Sequence, residues 1–392
     1  MSLATAPGGA TQGARSLLVL LAALGVVAFL WGVSRPDPAR AWGIYLVNLL
    51  FWSSLAITGP ALAAMIQVTE GRWSPTVKRM ALTTMGFLPV SFVLFLVLFF
   101  GRAVLYPWVT EPLPIKAAWL NVPFMALRIG LGVLLLYAAA FALARAVLAE
   151  DAADGRAAAA VARRNRIATV VLFLYVIVLS LWGFDLLMSL EPTWYSGLFG
   201  GYYVVTSLYP GFALVCFLTI RASERGAISV PPAAIQDTAK LVFAMCVMWM
   251  YFFFSQYLVI WYGNVPVETR FFLARFFVDP WRTLAFVVFV LGALIPFGYL
   301  LKRLTGRPPT RHRVFVVILF FGWIAIFLER IMIVFPSLSR DIGFPLGVTE
   351  VLITAGFFAA FVLSRAWFLG RYGGSLAFAA AARGDGPAVH AR

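Results

Sequence analysis

The run Ile167-Ala-Thr-Val-Val-Leu-Phe-Leu-Tyr-Val-Ile-Val-Leu-Ser-Leu181 carries no charge and does not alternate apolar with polar positions. Arg163, Arg164 and Arg166 stand directly before it, and the next acidic residue is Asp185. A helix needs about 20 residues to cross a hydrocarbon core roughly 30 Å thick, which this run and its flanks supply. A membrane-barrel strand would alternate over about ten residues, so a barrel is excluded. Residues 90–100 read the same way, and so does most of the chain. Of 392 residues, 62% are hydrophobic and only 12% are charged; the mean hydropathy is +0.92. Soluble domains carry about 25% charged residues to face water, so here most of the surface must face lipid. The fold class is an all-α polytopic membrane protein.

Apolar blocks predict ten transmembrane helices at 15–33, 43–67, 79–101, 121–148, 166–187, 197–221, 237–261, 281–301, 313–334 and 344–368. They form a single membrane domain over 15–368. A cytoplasmic N-terminal segment, 1–14, precedes it, and a flexible Gly/Ala-rich cytoplasmic tail, 369–392, follows. About 21 Lys and Arg fall on the side of both termini and about 8 on the other, so both termini are expected inside. The Trp- and Pro-rich loops at 102–120, 188–196 and 262–280 then lie outside. Arg15 before an apolar run, and Ala39-Arg40-Ala41 after it, also suit a signal peptide, but the run is long for one. Two sets of four helices, the second to fifth and the sixth to ninth, read as two four-helix bundles with two peripheral helices outside them. Each set begins with a helix-breaking group, Thr58-Gly59-Pro60 or Tyr209-Pro210-Gly211. Proline in a membrane helix frees a carbonyl that a neighbouring helix or water must satisfy.

The net charge of +15 sits in short loops between apolar blocks, so it reads as topology and not as a nucleic-acid surface. Cys216 and Cys246 are the only cysteines and both lie within apolar helices. Two isolated thiols supply neither an iron–sulfur cluster nor a zinc site. The only histidines, His312 and His390, fall in a loop and in the tail, where neither reaches a haem between helices. The chain itself is therefore expected to bind no metal or covalent cofactor. Any electron transfer must use a diffusible carrier or partner subunits.

Ionisable residues inside a membrane are costly, and they usually mark a proton, ion or substrate path. Arg128 lies roughly 10 Å in from the outer end of the fourth helix. Asp185 sits near the outer end of the fifth, Glu191 in the loop above it, and Glu350 at the start of the tenth. Glu329 and Arg330 lie roughly 24 Å from the inner end of the ninth, about 100° apart around it, and are expected to take different partners. All fall in the outer half, as a route for protons or a quinol head group requires. The competing reading is internal salt bridging, such as Arg128 with Asp185, that fixes helix packing. Ser255, Gln256 and Tyr257 on the seventh helix are candidates for a polar lining or for interhelical hydrogen bonds. Lys240, like Gln67 and Glu70, stands at an inner helix end where snorkelling suffices.

Three stretches give the chain a family likeness. Asp185-Leu-Leu-Met-Ser-Leu-Glu-Pro-Thr-Trp-Tyr-Ser196, continued by Gly197-Leu-Phe-Gly200, resembles the signature of the second NrfD-like (PsrC-like) membrane subunit of alternative complex III, the ActF type. Ala239-Lys-Leu-Val-Phe243 and Phe254-Ser-Gln-Tyr-Leu-Val-Ile-Trp-Tyr-Gly-Asn-Val-Pro-Val-Glu268 fit it too, as do Asn48-Leu-Leu-Phe-Trp52 and Glu329-Arg330. The likeness covers about residues 43–365. It implies a ten-helix subunit of a respiratory or photosynthetic quinol:cytochrome c (or cupredoxin) oxidoreductase in the bacterial inner membrane. The implied partners are a sister NrfD-like subunit, an iron–sulfur/molybdopterin-like subunit, c-type cytochromes, lipid and a terminal oxidase. Haem c and iron–sulfur clusters would sit on those partners, with quinone, ubiquinol or menaquinol, as the one ligand near this chain. Relatives often carry Trp where Phe184 stands and His where Thr193 stands, so no loop-histidine role carries over.

The leading expectation is thus a subunit contributing a quinone pocket or an outward proton path. Two alternatives stay open. A secondary transporter would also show broken helices and intramembrane charges. A structural anchor subunit would use the charges only to lock helices together.

Overall fold

The computed structural model describes residues 12–71, 75–149, 158–302, 312–338 and 343–377. Ten helices are long and apolar enough to cross a membrane: α1 (Gln12–Val33), α2 (Ala39–Val68), α3 (Pro75–Leu105), α4 (Val122–Leu148), α5 (Ala158–Leu190), α6 (Phe199–Glu224), α7 (Pro232–Gly263), α8 (Trp281–Leu301), α9 (Arg313–Leu338) and α10 (Val348–Tyr372). No strand occurs among the described residues. The protein is a polytopic all-α membrane protein, as its composition requires.

Helix ends run past the apolar blocks wherever the flanking residues favour helix. α5 is already helical at Ala158, eight residues before its expected start, because the alanines there propagate the helix beyond the apolar core. Asn121 caps α4, its side chain accepting from the Phe124 N–H at 2.9 Å. Asn264 ends α7 in the left-handed conformation, with φ of 45°. Pro266 then opens a further helix, Pro266–Phe276, inside a segment expected to be loop. The expected segment 1–14, the connections at 150–157 and 303–311, the tail beyond 377 and His390 fall wholly or mostly outside the described residues.

The packing follows the two predicted sets. α2 touches α3, α4 and α5; α6 touches α7 and α9; α8 packs on α9; and α1 pairs with α10 to one side. α2 and α6 join the sets at the centre, where 89% of each helix's most apolar window is buried, against 17% for α1. Their crossing is tight because Gly211 lies against the Thr58 side chain, where a Cβ would clash. Thr84 of α3 donates its hydroxyl to Ala56 O at 2.8 Å, the carbonyl that Pro60 deprives of its helical partner.

Side-chain bonds between helix ends fix the alternation. Gln67 at the end of α2 meets Asn165 near the start of α5 at 2.7 Å and Lys78 near the start of α3 at 3.1 Å. Arg40, opening α2, meets Glu350, opening α10, at 2.7 Å. The first group defines a terminal face, the second the opposite or loop face. Two helices carry π-type turns, Gly183–Leu187 in α5 and Val290–Leu294 in α8. Such turns widen the helix and re-aim side chains.

Candidate functional site

The deepest charges are Glu329 and Arg330 on α9, exposed by 0% and 1%. One carboxylate oxygen, Glu329 Oε1, accepts from Trp249 Nε1 of α7 at 2.7 Å and from the Tyr202 hydroxyl of α6. The other, Oε2, lies 3.5 Å from Arg330 Nη1 and has no hydrogen-bond partner among the described residues. Arg330 donates to Thr206 Oγ1 at 2.6 Å and lies over the Tyr203 ring at 4.3 Å. Its Nε and Nη1 make no hydrogen bond among the described residues. The two neighbours do take different partners, yet they also pair with each other: long side chains 100° apart still meet at their tips. Buried charges are kept ionised only by such pairing and hydrogen bonding.

From this pair, hydroxyls run toward the terminal face along the α2–α6 crossing. Tyr203 OH lies 3.0 Å from Ser54 Oγ, and Ser207 Oγ donates to Ser54 Oγ at 3.2 Å. One turn on, Thr58 Oγ1 lies 2.7 Å from the Tyr175 hydroxyl of α5. Toward the loop face, Tyr202 lines a small cavity of about 30 Å³ together with Gln256 and Arg275. That volume holds a water molecule, which needs roughly 10–15 Å³. Arg275 forms part of its wall. It donates to Phe271 O and Ile333 O, each at 2.8 Å, and to Ser337 Oγ at 2.5 Å. Its Nη1 is 3.6 Å from Glu191 Oε2, and its guanidinium stacks on the Phe271 ring at 3.5 Å. Trp194 covers the other face of that ring, with centroids 3.8 Å apart and planes 5° from parallel. Burial lowers the Arg275 guanidinium to about 10, with Glu191 opposing the shift.

The remaining candidates are not gathered into one cluster. Arg128 and Asp185 form a two-point pair, Nε to Oδ2 at 3.0 Å and Nη2 to Oδ1 at 2.9 Å. Trp119 Nε1 also donates to Asp185 Oδ1 at 3.0 Å, while the Trp119 carbonyl accepts from Arg128 and its ring lies 4.0 Å beneath the guanidinium. Every strong group there has a partner, so the arrangement locks α4, α5 and the loop between α3 and α4. Burial and the Asp185 charge push the neighbouring Tyr106 phenol above its ordinary range. Glu350 is held by Arg40, joining α10 to α2 well apart from Glu329 in the bonding network.

On α7, Gln256 is buried and accepts from Ser196 Oγ at 2.9 Å. Tyr257, expected in the same lining, is exposed on the helix flank with its ring against Phe272, because the next residue turns about 100° away. Lys240 is exposed and paired with Asp237 at 2.9 Å, one turn earlier on α7. Sequence reasoning missed Arg275, whose charge sits unremarkably in a loop. It also missed Tyr202, Tyr203 and Trp249, which read as ordinary aromatic packing. The signal for Arg275 was its basic charge on the face where basic residues are otherwise few.

No protein-family model matches the chain, and no curated protein matches it either.

Proposed function

We propose that the chain is a membrane subunit of a quinol:cytochrome c (or cupredoxin) oxidoreductase of the alternative complex III type, and that it conducts protons through Glu329. The observation that carries the conducting role is a fully buried carboxylate with one oxygen free of hydrogen bonds among the described residues, the Tyr202 hydroxyl on its other oxygen, and Arg330, bonded to the Thr206 hydroxyl, beside it. Intramembrane ionisable residues in such settings serve proton relays. The complex type rests on the likeness of the loop from Asp185 to Gly200 and of the α7 segment. Under this reading haem c and iron–sulfur clusters belong to partner subunits, and quinol supplies the protons and electrons.

Chemically, Glu329 Oε2 is the atom that takes up a proton. Transfer toward the loop face then requires the carboxyl group to turn so that this O–H faces the Tyr202 oxygen, which accepts the proton as it releases its own into the cavity beside Gln256 and Arg275. Arg330 holds a compensating charge beside the carboxylate throughout. Thr206, Ser207, Ser54 and Tyr203 supply hydroxyls on the other side.

The test is gentle purification from native membranes through a tag on this chain, a reduced-minus-oxidised spectrum, and then Glu329→Gln in the same preparation. Bands of c-type haem at wild-type intensity in both, with proton release falling by roughly tenfold or more in the variant, are expected. Full turnover and full proton release in Glu329→Gln would overturn the conducting role. A colourless chain purifying alone would overturn the complex, and solute uptake in liposomes would then assay a transporter.

A further inference from the structure

A second, far larger cavity, about 940 Å³, lies among α2, α3, α6, α9 and α10. None of the Glu329 cluster lines it. Its walls are apolar and aromatic, with Trp52, Phe217, Trp323 and Phe361 among them. Phe320, Ile324 and Phe358 line it yet remain exposed by 39%, 45% and 46%, so the cavity is a groove open along its flank. In a membrane that flank faces acyl chains. The volume is at the upper end of the roughly 300–1,000 Å³ of small-molecule sites.

The end of the groove toward the terminal face is basic. Arg221 and Arg225 reach it from the end of α6, and Arg365 from α10. Arg221 is paired with Glu224 at 2.9 Å. Arg365 donates to neutral groups, Thr83 Oγ1 at 3.2 Å and Met80 Sδ at 3.8 Å. Among the described residues, neither Arg225 nor Arg365 meets a carboxylate, and the two lie close enough for their charges to repel. A helix C-terminus attracts cations, which accounts for Arg221 and Arg225. It does not account for Arg365, which comes from another helix and keeps a half-buried charge beside a like one. Repelling cations at the mouth of an apolar groove are stabilised by an anion with an apolar body. Basic pockets between membrane helices recognise anionic lipid head groups in this way.

We infer that this groove is a binding site for an anionic diacyl phospholipid, its acyl chains along the aromatic wall and its phosphate at Arg225 and Arg365. Two guanidiniums suit a phosphate because each offers a planar fork of donors. The site is independent of the proton route and of the complex to which the chain belongs.

The experiment uses the full chain, with any subunits that purify with it, stripped of lipid in a nonionic detergent. It is offered equimolar dioleoylphosphatidylglycerol and dioleoylphosphatidylcholine, and retained lipid is read by native mass spectrometry. Phosphatidylglycerol should be retained over phosphatidylcholine by roughly tenfold or more, a difference of about 1.4 kcal/mol. The paired change Arg225→Gln with Arg365→Gln should abolish that preference, and Arg225→Lys with Arg365→Lys should keep most of it. Equal retention of both lipids by the wild type overturns the proposal without any variant. So does a preference unchanged in the glutamine pair. Displacement of the lipid by glycerol 3-phosphate would assign a free-phosphate site, and displacement by a neutral short-chain quinone would assign a quinone groove; either overturns it.

Discussion

Replacing Asp185 by Asn keeps the shape of the side chain and removes its charge. In the native arrangement Asp185 accepts two bonds from Arg128 and one from Trp119, and the two charged side chains are exposed by only 8% and 1%. An asparagine keeps one acceptor, but its NH2 group then faces Arg128 Nε, a donor against a donor at a spacing near 3.0 Å. The Arg128 charge stays buried and uncompensated. Breaking such a pair from one side costs about 3–5 kcal/mol. Removing both partners, as Arg128→Met with Asp185→Leu, leaves only Trp119 groups to re-pair, at about 1–3 kcal/mol. The double variant should therefore be more stable than Asp185→Asn by about 2 kcal/mol. The two cysteines, Cys216 and Cys246, are buried, so a thiol-reactive fluorophore reads unfolding directly during a denaturant titration in mixed micelles. A loss below about 1 kcal/mol in Asp185→Asn, or a double variant as unstable as the two single losses added, would refute the reasoning.

Gly211→Ala should cost about 1–3 kcal/mol, because the added methyl meets Thr58 at the α2–α6 crossing. Gly298→Ala, where nothing lies within 4 Å, should leave the same midpoint unchanged. Glu350→Gln should shift stability by no more than about 1 kcal/mol and leave turnover intact, since its partner Arg40 is 37% exposed. For Arg275 the folded-state value of about 10 lies below the ordinary guanidinium value. Between those values the unfolded chain binds more protons than the folded one, so this group's contribution rises with pH across that window and is lost as pH falls through about 10. The stability of wild type relative to Arg275→Met, followed from pH 9 to 12 by the thiol readout, should rise accordingly; a flat or falling difference would contradict the burial assigned to Arg275.

The helix content was legible because lipid leaves few choices for a chain with blocks such as 90–100 and 167–181. Glu329 and Arg330 stood out for the same reason, as charges with apolar neighbours on either side. The pairing of Arg128 with Asp185 is legible as internal salt bridging, since both fall in the outer half of adjacent helices. What a single sequence does not contain is helix rotation. It sends Gln256 inward and Tyr257 outward, and it lets Tyr202 and Trp249 turn polar tips onto Glu329 while resembling ordinary filler. Glu350 reads as a neighbour of Glu329 because depth is readable and azimuth is not; the structure sends it to Arg40 instead. The helix Pro266–Phe276 was hidden by its shortness and by the loop-like Asn264 and Pro266 at its start.

The near-complete enclosure of α2 also has a consequence in time. α6 follows it by roughly 150 residues, and at about 5–20 residues per second the chain needs roughly 8–30 s to supply that neighbour. For that interval Asn48, Ser54 and Thr58 sit in a helix whose final companions have yet to be made. Asn48 already donates to Ile44 O at 2.9 Å and Thr58 to Ser54 O at 2.7 Å, each within its own helix. These local bonds give the nascent span provisional partners for its polar groups until α5, α6 and α10 arrive to share them.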